Sequence, residues 1–367
     1  MASLPLPCEE LPSPESDRCG SPCRSGPKRN HQCLPLDIMR LVFERLGFAD
    51  LERAKCVCSS WQSASKQSKP NNQIPWMILF PKDKNYCLLF NPEEKDKVYK
   101  TQDLSNDFGK SFCVATYRSW LLMQPQKDSM EDCQYNLYIL DLLTLERINL
   151  PTFESEYGLP SSILWIDEKT KDYIVIGMVD EEDAVVFKKG DNSWKQMPQL
   201  SGIEGCFNMV YKNHKLYCLN NLSGLRMRPP GTLPDEVSFA HSKNNVVVTV
   251  GGDILIVTSL CQYMSKIWKF RIYKMDSSKG NKWEEIFSLG DEAILLDLGI
   301  TVIAKDIEGI KGNSIYFKGN AFEGGYDEND IFIFNIDTKK VEQPHQFVCS
   351  SVPCYDARWF LPSFKRE

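Results

Sequence analysis

The pattern of apolar and polar positions changes once along the chain, near residue 74. Between residues 34 and 61, apolar residues recur at three- and four-residue spacing, which is the period of an amphipathic α-helix. From Ile74 onward, apolar and polar positions alternate with period two, which is typical of β-strands. The pattern therefore predicts an α+β multidomain protein, in which a small all-α region precedes a long all-β region.

The helical stretch predicts two or three short helices. Asp37 fits the N-cap position of the first helix and Gly47 fits its stop. Its main apolar face is predicted to carry Ile38, Leu41, Val42 and Leu46. A second helical segment is predicted to begin with Asp50 as its N-cap, and the helix is predicted to be interrupted near Ser59. Its apolar residues also repeat at helical period, and they are Leu51, Ala54, Val57, Cys58 and Trp61.

This helical region is too small to be stable alone, because a chain below roughly 40 residues usually needs disulfides, metals or a partner. Met39 and Phe43 lie off the main apolar face. The first helix is therefore apolar on more than one side. We expect one face to serve internal packing and another face to dock onto a second protein.

The β region repeats one small unit six times: an apolar or aromatic strand, a turn with Asn, Asp or Gly, and a second strand. The units begin at Tyr86, Asn136, Ala184, Lys215, Lys269 and Asp330. Further hairpins are predicted at 112–123, at 163–178 with its turn near Asp172, at 246–258 around Gly251-Gly252, and at 300–317 with Gly312-Asn313 at the turn.

Repeats of this kind, with about four short strands each, are the signature of a β-propeller. Six blades fit the count best, with five or seven as alternatives because the spacing is irregular. Trp359-Phe360-Leu361 is predicted to form a strand that pairs with the first blade and closes the ring. A β-sandwich is the alternative fold, but it does not explain the repeated unit.

Composition narrows the possible functions of the chain. Its 367 residues are 42% hydrophobic and 25% charged, and the formal net charge of -6 argues against a nucleic-acid or anionic-membrane binder. No stretch of about 20 apolar residues occurs, and the N-terminus lacks the features of a signal peptide. We expect a cytoplasmic or nuclear protein, in which Cys87, Cys113, Cys206 and Cys218 serve as small core residues.

Residues 1–30 are rich in proline and serine and are predicted to be a disordered leader. Cys19, Cys23, His31 and Cys33 only approximate the spacing of zinc ligands, so an unliganded tail is favoured. We expect neither a metal site nor a cofactor.

The helical stretch resembles an F-box, the motif that binds the Skp-type adaptor of cullin-RING ubiquitin ligases. The similarity is carried by Leu34-Pro35, Ile38, Val42, Leu46, Asp50-Leu51, Arg53, Val57-Cys58 and Trp61, within an F-box at residues 31–70. It implies that the adaptor binds the side chains of Leu34, Pro35, Ile38, Val42, Leu46, Leu51, Val57 and Trp61. The alternative is a helical hairpin that only packs on its own β domain.

Residues 74–367 resemble the kelch-like β-propeller region that follows the F-box in many plant F-box proteins. The segments that begin at Lys269 and Gly312 carry this similarity. Only Gly251-Gly252 and Gly324-Gly325 match the glycine doublets of standard kelch repeats, which leaves the blade number open.

The resemblance implies a non-catalytic substrate-recognition subunit of a Skp-cullin-F-box (SCF) ubiquitin ligase. Its partners would be the Skp-type adaptor, through it a cullin and a RING subunit, and a protein substrate. The alternative is a propeller enzyme or carbohydrate-binding protein with an incidental helical segment, which predicts acidic residues converging on the propeller axis. The four histidines fall in no recognisable catalytic motif.

Overall fold

The structure is a computed structural model that forms two compact units, a helical unit and a β body. It describes residues 34–46, 50, 53–54, 56–65, 75–92, 98–126, 134–156, 158–159, 161–167, 169–179, 183–198, 208–212, 215–219, 241–261, 268–276, 282–305, 307, 309–318, 331–342 and 354–361. Within these residues, no helix is long and apolar enough to cross a membrane. The predicted leader lies outside them.

The helical unit contains α1 (Leu36–Phe43) and α2 (Ser59–Ser65). The predicted break near Ser59 is confirmed, because α2 begins there after a turn. The prediction of Asp37 as N-cap was wrong. Pro35, whose ring fixes φ at -53°, precedes α1 directly, and its carbonyl accepts a hydrogen bond from the Met39 N–H at 3.0 Å. The predicted stop Gly47 lies outside the described residues.

The first sheet pairs the first strands of the body with its last described strand. It contains β1 (Trp76–Pro81), β2 (Leu88–Phe90), β3 (Val98–Lys100) and the C-terminal β25 (Cys354–Phe360), in the order β25-β1-β2-β3. Trp76 pairs with Phe360 in the antiparallel register between β1 and β25. The predicted pairing of the C-terminal strand with the first strands of the body is confirmed.

Two further four-stranded sheets follow in sequence. The first has the order β4-β5-β7-β8, with β4 Ser111–Tyr117, β5 Trp120–Pro125, β7 Tyr138–Asp141 and β8 Arg147–Asn149. The short strands β6 (Gln134–Tyr135) and β9 (Phe153–Glu154) pair beside it. The second has the order β10-β11-β12-β13, with β10 Ser161–Ile166, β11 Tyr173–Met178, β12 Ala184–Lys188 and β13 Lys195–Gln196. The hairpins predicted at 112–123 and 163–178 are confirmed.

The next strands form a two-stranded and a nine-stranded sheet. β14 (Asn208–Lys212) pairs with β15 (Lys215–Leu219). The strands of the large sheet are β16 His241–Val248, β17 Ile254–Cys261, β18 Trp268–Asp276, β19 Lys282–Ile286, β20 Glu292–Leu295, β21 Ile300–Ile303, β22 Ser314–Lys318, β23 Ile331–Asn335 and β24 Lys340–Glu342. Their order is β19-β18-β17-β16-β21-β20-β22-β23-β24.

One predicted hairpin in this sheet was right and another was wrong. β16 and β17 pair across 246–258, and Gly252 in their turn has φ of +90°, a conformation that glycine adopts without strain. The hairpin predicted at 300–317 is absent from the described strands. β20 lies between β21 and β22 instead, antiparallel to β21 and parallel to β22.

The inner strands of the body are arranged in a ring, which is the arrangement of a β-propeller. β25 contacts β4, β4 contacts β10, β10 contacts β14, and β14 contacts β16. β16 pairs with β21 in the large sheet, and Lys318 at the end of β22 reaches Asp356 on β25. The number of blades stays a prediction, since strands of more than one repeat unit join in the nine-stranded sheet.

Candidate functional site

The helical unit has a small core that uses only one side of α1. Met39 and Phe43 are 4% and 0% exposed, and they pack with Ala54 and Ala64. Trp61 lies against Phe43, with ring centroids 5.3 Å apart in an edge-to-face arrangement. The pair that sequence analysis placed off the main apolar face therefore forms the interior. On the predicted main face, Ile38, Leu41 and Val42 point to solvent, whereas Leu46 packs against the core.

Six large apolar side chains of this unit are exposed to solvent, and together we call them the apolar surface. Its members are Leu34, Leu36, Ile38, Leu41, Val42 and Val57. The exposed fraction is lowest for Leu36, at 40%, and reaches 62% for Val57. Several exposed large apolar side chains on a small unit make it a candidate interaction site, because burying them against a partner would remove them from water.

The eight residues predicted to bind an adaptor fall into three groups. Leu34, Pro35, Ile38, Val42 and Val57 are exposed. Leu46 and Trp61 are half-buried and pack against the small core. Leu51 lies outside the described residues. Adaptor binding by any of them stays a prediction.

The structure adds two residues to the apolar surface, Leu36 and Leu41. Leu41 was on the predicted main face of the helix, so the spacing of apolar residues was sufficient to find it. Leu36 was missed because the first helix was expected to start after Asp37, and α1 begins at Leu36 itself.

The β body encloses a cavity of about 470 Å³ among its inner strands. One wall is aromatic and contains Phe112, Trp268, Phe270 and Phe317. Polar groups line the remainder, among them Asn208 and Asn245, together with the charged residues Lys243, Asp297, Lys318 and Arg358. Sequence analysis identified none of these charged residues.

Asp356 on β25 holds two of the cavity's cations in place. One of its carboxylate oxygens accepts a hydrogen bond from the Lys318 ammonium, and the other accepts one from Nε of Arg358 at 2.9 Å. Arg358 also donates from Nη2 to the carbonyl of Cys113 on β4, at 3.0 Å. Burial raises the pKa of Asp356, but the charges of Arg358 and Lys318 outweigh it and leave the pKa below its usual value.

Asp297 follows β20 and approaches the same group of charges. Its Oδ2 accepts a hydrogen bond from the Trp359 N–H at 3.0 Å, whereas its buried Oδ1 has no hydrogen-bond partner among the described residues. Burial raises the pKa of this carboxyl group above its usual value, against the opposing effect of Lys318. Asp297 and Asp356 come from distant parts of the chain and lie close together near the inner strands. The alternative of a propeller enzyme predicted such a convergence of acidic residues. The carboxylate of Asp356, however, already forms ion pairs with Lys318 and Arg358.

Two of the predicted core cysteines are confirmed, and no metal centre appears within the described residues. Cys87 and Cys113 are free thiols at 0% and 1% exposure, and burial raises the pKa of Cys113 to about 12. Cys218 is half-buried, and Cys206 lies outside the described residues. The described residues bring together no group of three or more metal-ligating side chains, and the predicted zinc candidates in the leader lie outside them.

A small helical unit with an exposed apolar surface, joined to a β-propeller, defines the class of F-box proteins with a propeller body. The F-box domain model matches residues 32–73, and the KIB1-4 β-propeller model matches residues 89–335. This chain belongs to the plant F-box proteins whose body is a KIB1-4 β-propeller. The finer description of the body as kelch repeats stays a prediction.

Two relatives from Arabidopsis thaliana support this assignment. F-box protein At1g69090 is 55% identical, over 100% of both chains, and putative F-box protein At5g66830 is 58% identical over 91% of this chain and 93% of the relative. Among solved structures, a putative 6-phosphogluconolactonase from Bacteroides uniformis covers 78% of this chain and 99% of that chain, at 11% identity. Its TM-score of 0.38 is too low to support any conclusion.

Proposed function

We propose that this protein is the substrate-recognition subunit of an SCF ubiquitin ligase. The F-box binds a Skp-type adaptor, and through it a cullin and a RING subunit, while the propeller selects a protein substrate. The subunit itself is non-catalytic and acts in the cytoplasm, the nucleus or both. By holding the substrate, it raises the effective concentration of substrate lysines near the catalytic module of the ligase.

The observation that supports adaptor binding best is the apolar surface within the segment that matches the F-box domain. Ile38 and Val42 are four residues apart on α1, so they lie on the same side of the helix. Their side chains are 45% and 41% exposed, whereas Met39 and Phe43 beside them supply the internal packing. The outer face is therefore available to a partner without any cost to the core.

Capture of the adaptor by the full chain tests the proposal. The full chain is co-expressed with a tagged Skp-type adaptor, and we expect stoichiometric co-purification. Replacing the two exposed side chains, as Ile38→Ser with Val42→Ser, is expected to weaken the complex about a hundredfold, because central apolar contacts each contribute on the order of 1 kcal/mol or more. Leu34→Ala with Pro35→Ala is expected to weaken it in the same direction.

A matched control is Phe287→Ser, which removes an apolar side chain that is 71% exposed on the β body. Capture should be unchanged in this variant. Equal capture by the wild type and by both double variants would show that the apolar surface does not bind the adaptor. An adaptor complex that leaves every bound protein unmodified, when supplied with the cullin and RING subunits, would contradict the ligase role but not adaptor binding.

A further inference from the structure

The cavity of the β body contains more positive charge than its own carboxyl groups balance. Three cations lie in or beside it, namely Lys243, Lys318 and Arg358, together with two carboxyl groups, Asp297 and Asp356. Asp356 pairs with both Lys318 and Arg358. The ammonium of Lys243 makes no hydrogen bond or ion pair with another described residue. Lys243 is thus the charge that remains without a counterion among them.

The position of Lys243 makes this excess charge accessible to a ligand. Its side chain is exposed, although it lines the cavity between the inner strands. Phe112, on the aromatic wall, is 44% exposed, so water and small solutes reach the interior. The protein atoms around the Lys243 ammonium displace part of its water and lower its pKa, and the positive charge of Arg358 lowers it further. An anion bound beside Lys243 would remove this unfavourable interaction between two cations.

Asp297 provides a second, independent sign of a ligand. Its Oδ1 is buried and has no hydrogen-bond partner among the described residues, which is uncommon because a buried polar atom without a partner costs free energy. The residue lines the same cavity as Lys243 and Arg358. A bound hydroxyl or amide N–H beside Oδ1 would supply the missing hydrogen bond.

The carboxyl groups of the cavity also limit the charge of the ligand. A phosphate monoester carries about two negative charges at neutral pH, and it would approach Asp297 and Asp356 as well as the cations. A carboxylate carries one negative charge, which balances the single positive charge in excess. The aromatic wall of Phe112, Trp268, Phe270 and Phe317 suits an apolar body attached to that carboxylate. The volume of about 470 Å³ lies within the range of roughly 300–1,000 Å³ that is usual for ligand sites.

We propose that the propeller cavity binds a monocarboxylate with an apolar body, with the carboxylate on Lys243 and the apolar body against the aromatic wall. The carboxylate has two possible sources, a free small acid or a glutamate side chain of a bound peptide. The site does not depend on the ligase role, because its residues all belong to the β body.

Titration calorimetry on the full chain tests this proposal with two pairs of probes. The first pair is phenylacetate and its uncharged counterpart methyl phenylacetate, neither of which carries an N–H that could bind Asp297. The second pair is the blocked peptide acetyl-Phe-Glu-Phe-amide and the same peptide with glutamine. We expect at least one charged probe to bind about tenfold or more tightly than its neutral twin, because hydrogen bonds to charged groups are stronger than neutral ones. A preference for phenylacetate alone indicates a small acid, and a preference for the peptide alone indicates a partner's side chain.

Variants of Lys243 assign the binding to the cavity. Lys243→Met removes the charge but keeps the length of the side chain, and we expect it to abolish the preference for the charged probe. Lys243→Arg keeps the charge and should retain the preference within a few fold. Lys282→Met, at an exposed position on β19, is the matched control and should behave as the wild type.

Two results would overturn the proposal. One is equal binding of the charged and neutral member of both probe pairs up to millimolar concentration. The other is a preference for the charged probe that persists unchanged in Lys243→Met. Thermal unfolding of each variant shows that it is folded, and we expect little change because Lys243 is exposed and forms no ion pair with a described residue.

Discussion

The helical unit and the β body distribute apolar and charged side chains in opposite ways. Among the described residues of the helical unit, six large apolar side chains are exposed and four apolar side chains form the buried core. In the β body, Asp356, Lys318 and Arg358 form ion pairs while their side chains are only 19%, 17% and 29% exposed. Each departure from the usual arrangement costs free energy, which makes each region a candidate for a functional role.

The exposed apolar surface and the charged cavity suit different kinds of partner. An exposed apolar surface on a unit too small to be very stable suits a lasting, largely hydrophobic interface. A cavity with fixed charges suits a ligand of defined charge and size, because ion pairs fix orientation better than apolar contacts do. The following substitutions separate the two regions, from the largest expected effect to the smallest.

Phe43→Ala should unfold the helical unit and leave the β body folded. Phe43 is fully buried and in contact with Trp61, and the loss of such a side chain costs about 3–5 kcal/mol. A core this small holds little more stability than that. Loss of adaptor capture with an unchanged thermal transition of the body is the expected result. Normal capture of the adaptor by Phe43→Ala would show that the folding of α1 does not depend on the packing of its buried face.

Asp356→Ala should destabilise the β body by about 2–4 kcal/mol in urea unfolding followed by tryptophan fluorescence. Lys318 and Arg358 lose their counterion in this variant, and the cost falls below that of a fully buried pair because the carboxylate is partly exposed. Asp253→Ala is the control. It removes an exposed ion pair with Lys274 at 2.7 Å, for which we expect about 0–1 kcal/mol. Equal effects of the two substitutions would contradict a structural role for the charges at the cavity.

Asp297→Asn should change how the stability of the body depends on pH. The folded protein raises the pKa of Asp297 by burial, so the folded state holds this proton at pH values where the unfolded chain has lost it. The contribution of Asp297 is fully present below its unfolded pKa of about 3.9 and is lost as pH rises through the folded pKa. The asparagine variant should therefore gain stability relative to the wild type as pH rises.

Urea midpoints of both proteins across this pH range provide the measurement for Asp297. Lys318, Arg358 and Asp356 face the same carboxyl group and are present in both proteins, so the difference reports Asp297 together with its coupling to these charges. A difference that falls with rising pH would mean that the cations, not burial, dominate the environment of Asp297.

Val57→Ser should have the smallest effect on folding. Val57 is 62% exposed, and substitutions at such positions usually change the free energy of unfolding by less than about 0.5 kcal/mol. Adaptor capture is nevertheless expected to weaken, since the side chain belongs to the apolar surface. Unchanged capture beside an unchanged urea midpoint would exclude Val57 from the interface and leave the residues of α1 as its centre.

Most of the strand pattern could be predicted from the sequence because period-two alternation is a local property. The hairpin across Gly251-Gly252 and the pairing of Trp359-Phe360 with the first strand are examples. The hairpin at 300–317 was wrong because its two strands both pair with β20, which precedes them, and a parallel pairing leaves no turn signature in the sequence.

The two candidate sites differ in how far apart their residues lie in the sequence, and this decided which of them could be predicted. The apolar surface was largely predicted, since Ile38, Leu41 and Val42 share one helical face. Which face of α1 turns inward was not predicted, because both faces are apolar and the choice depends on where Ala54 and Ala64 lie. The charges at the cavity come from β16, β22, β25 and the turn after β20. The one feature of the sequence that could have indicated these charges is a charged residue within an apolar strand, as for Asp356 and Arg358 beside Trp359.

The pairing of β25 with β1 also governs how the protein is made. The ribosome releases the helical unit before the β body, but the first sheet lacks an inner strand until Cys354–Phe360 have been synthesised. A premature stop codon at position 354 would remove Asp356, Arg358 and the partner strand of β1 together. Such a product would keep its F-box but expose the edge of β1, a template for aggregation and for recognition by protein quality control.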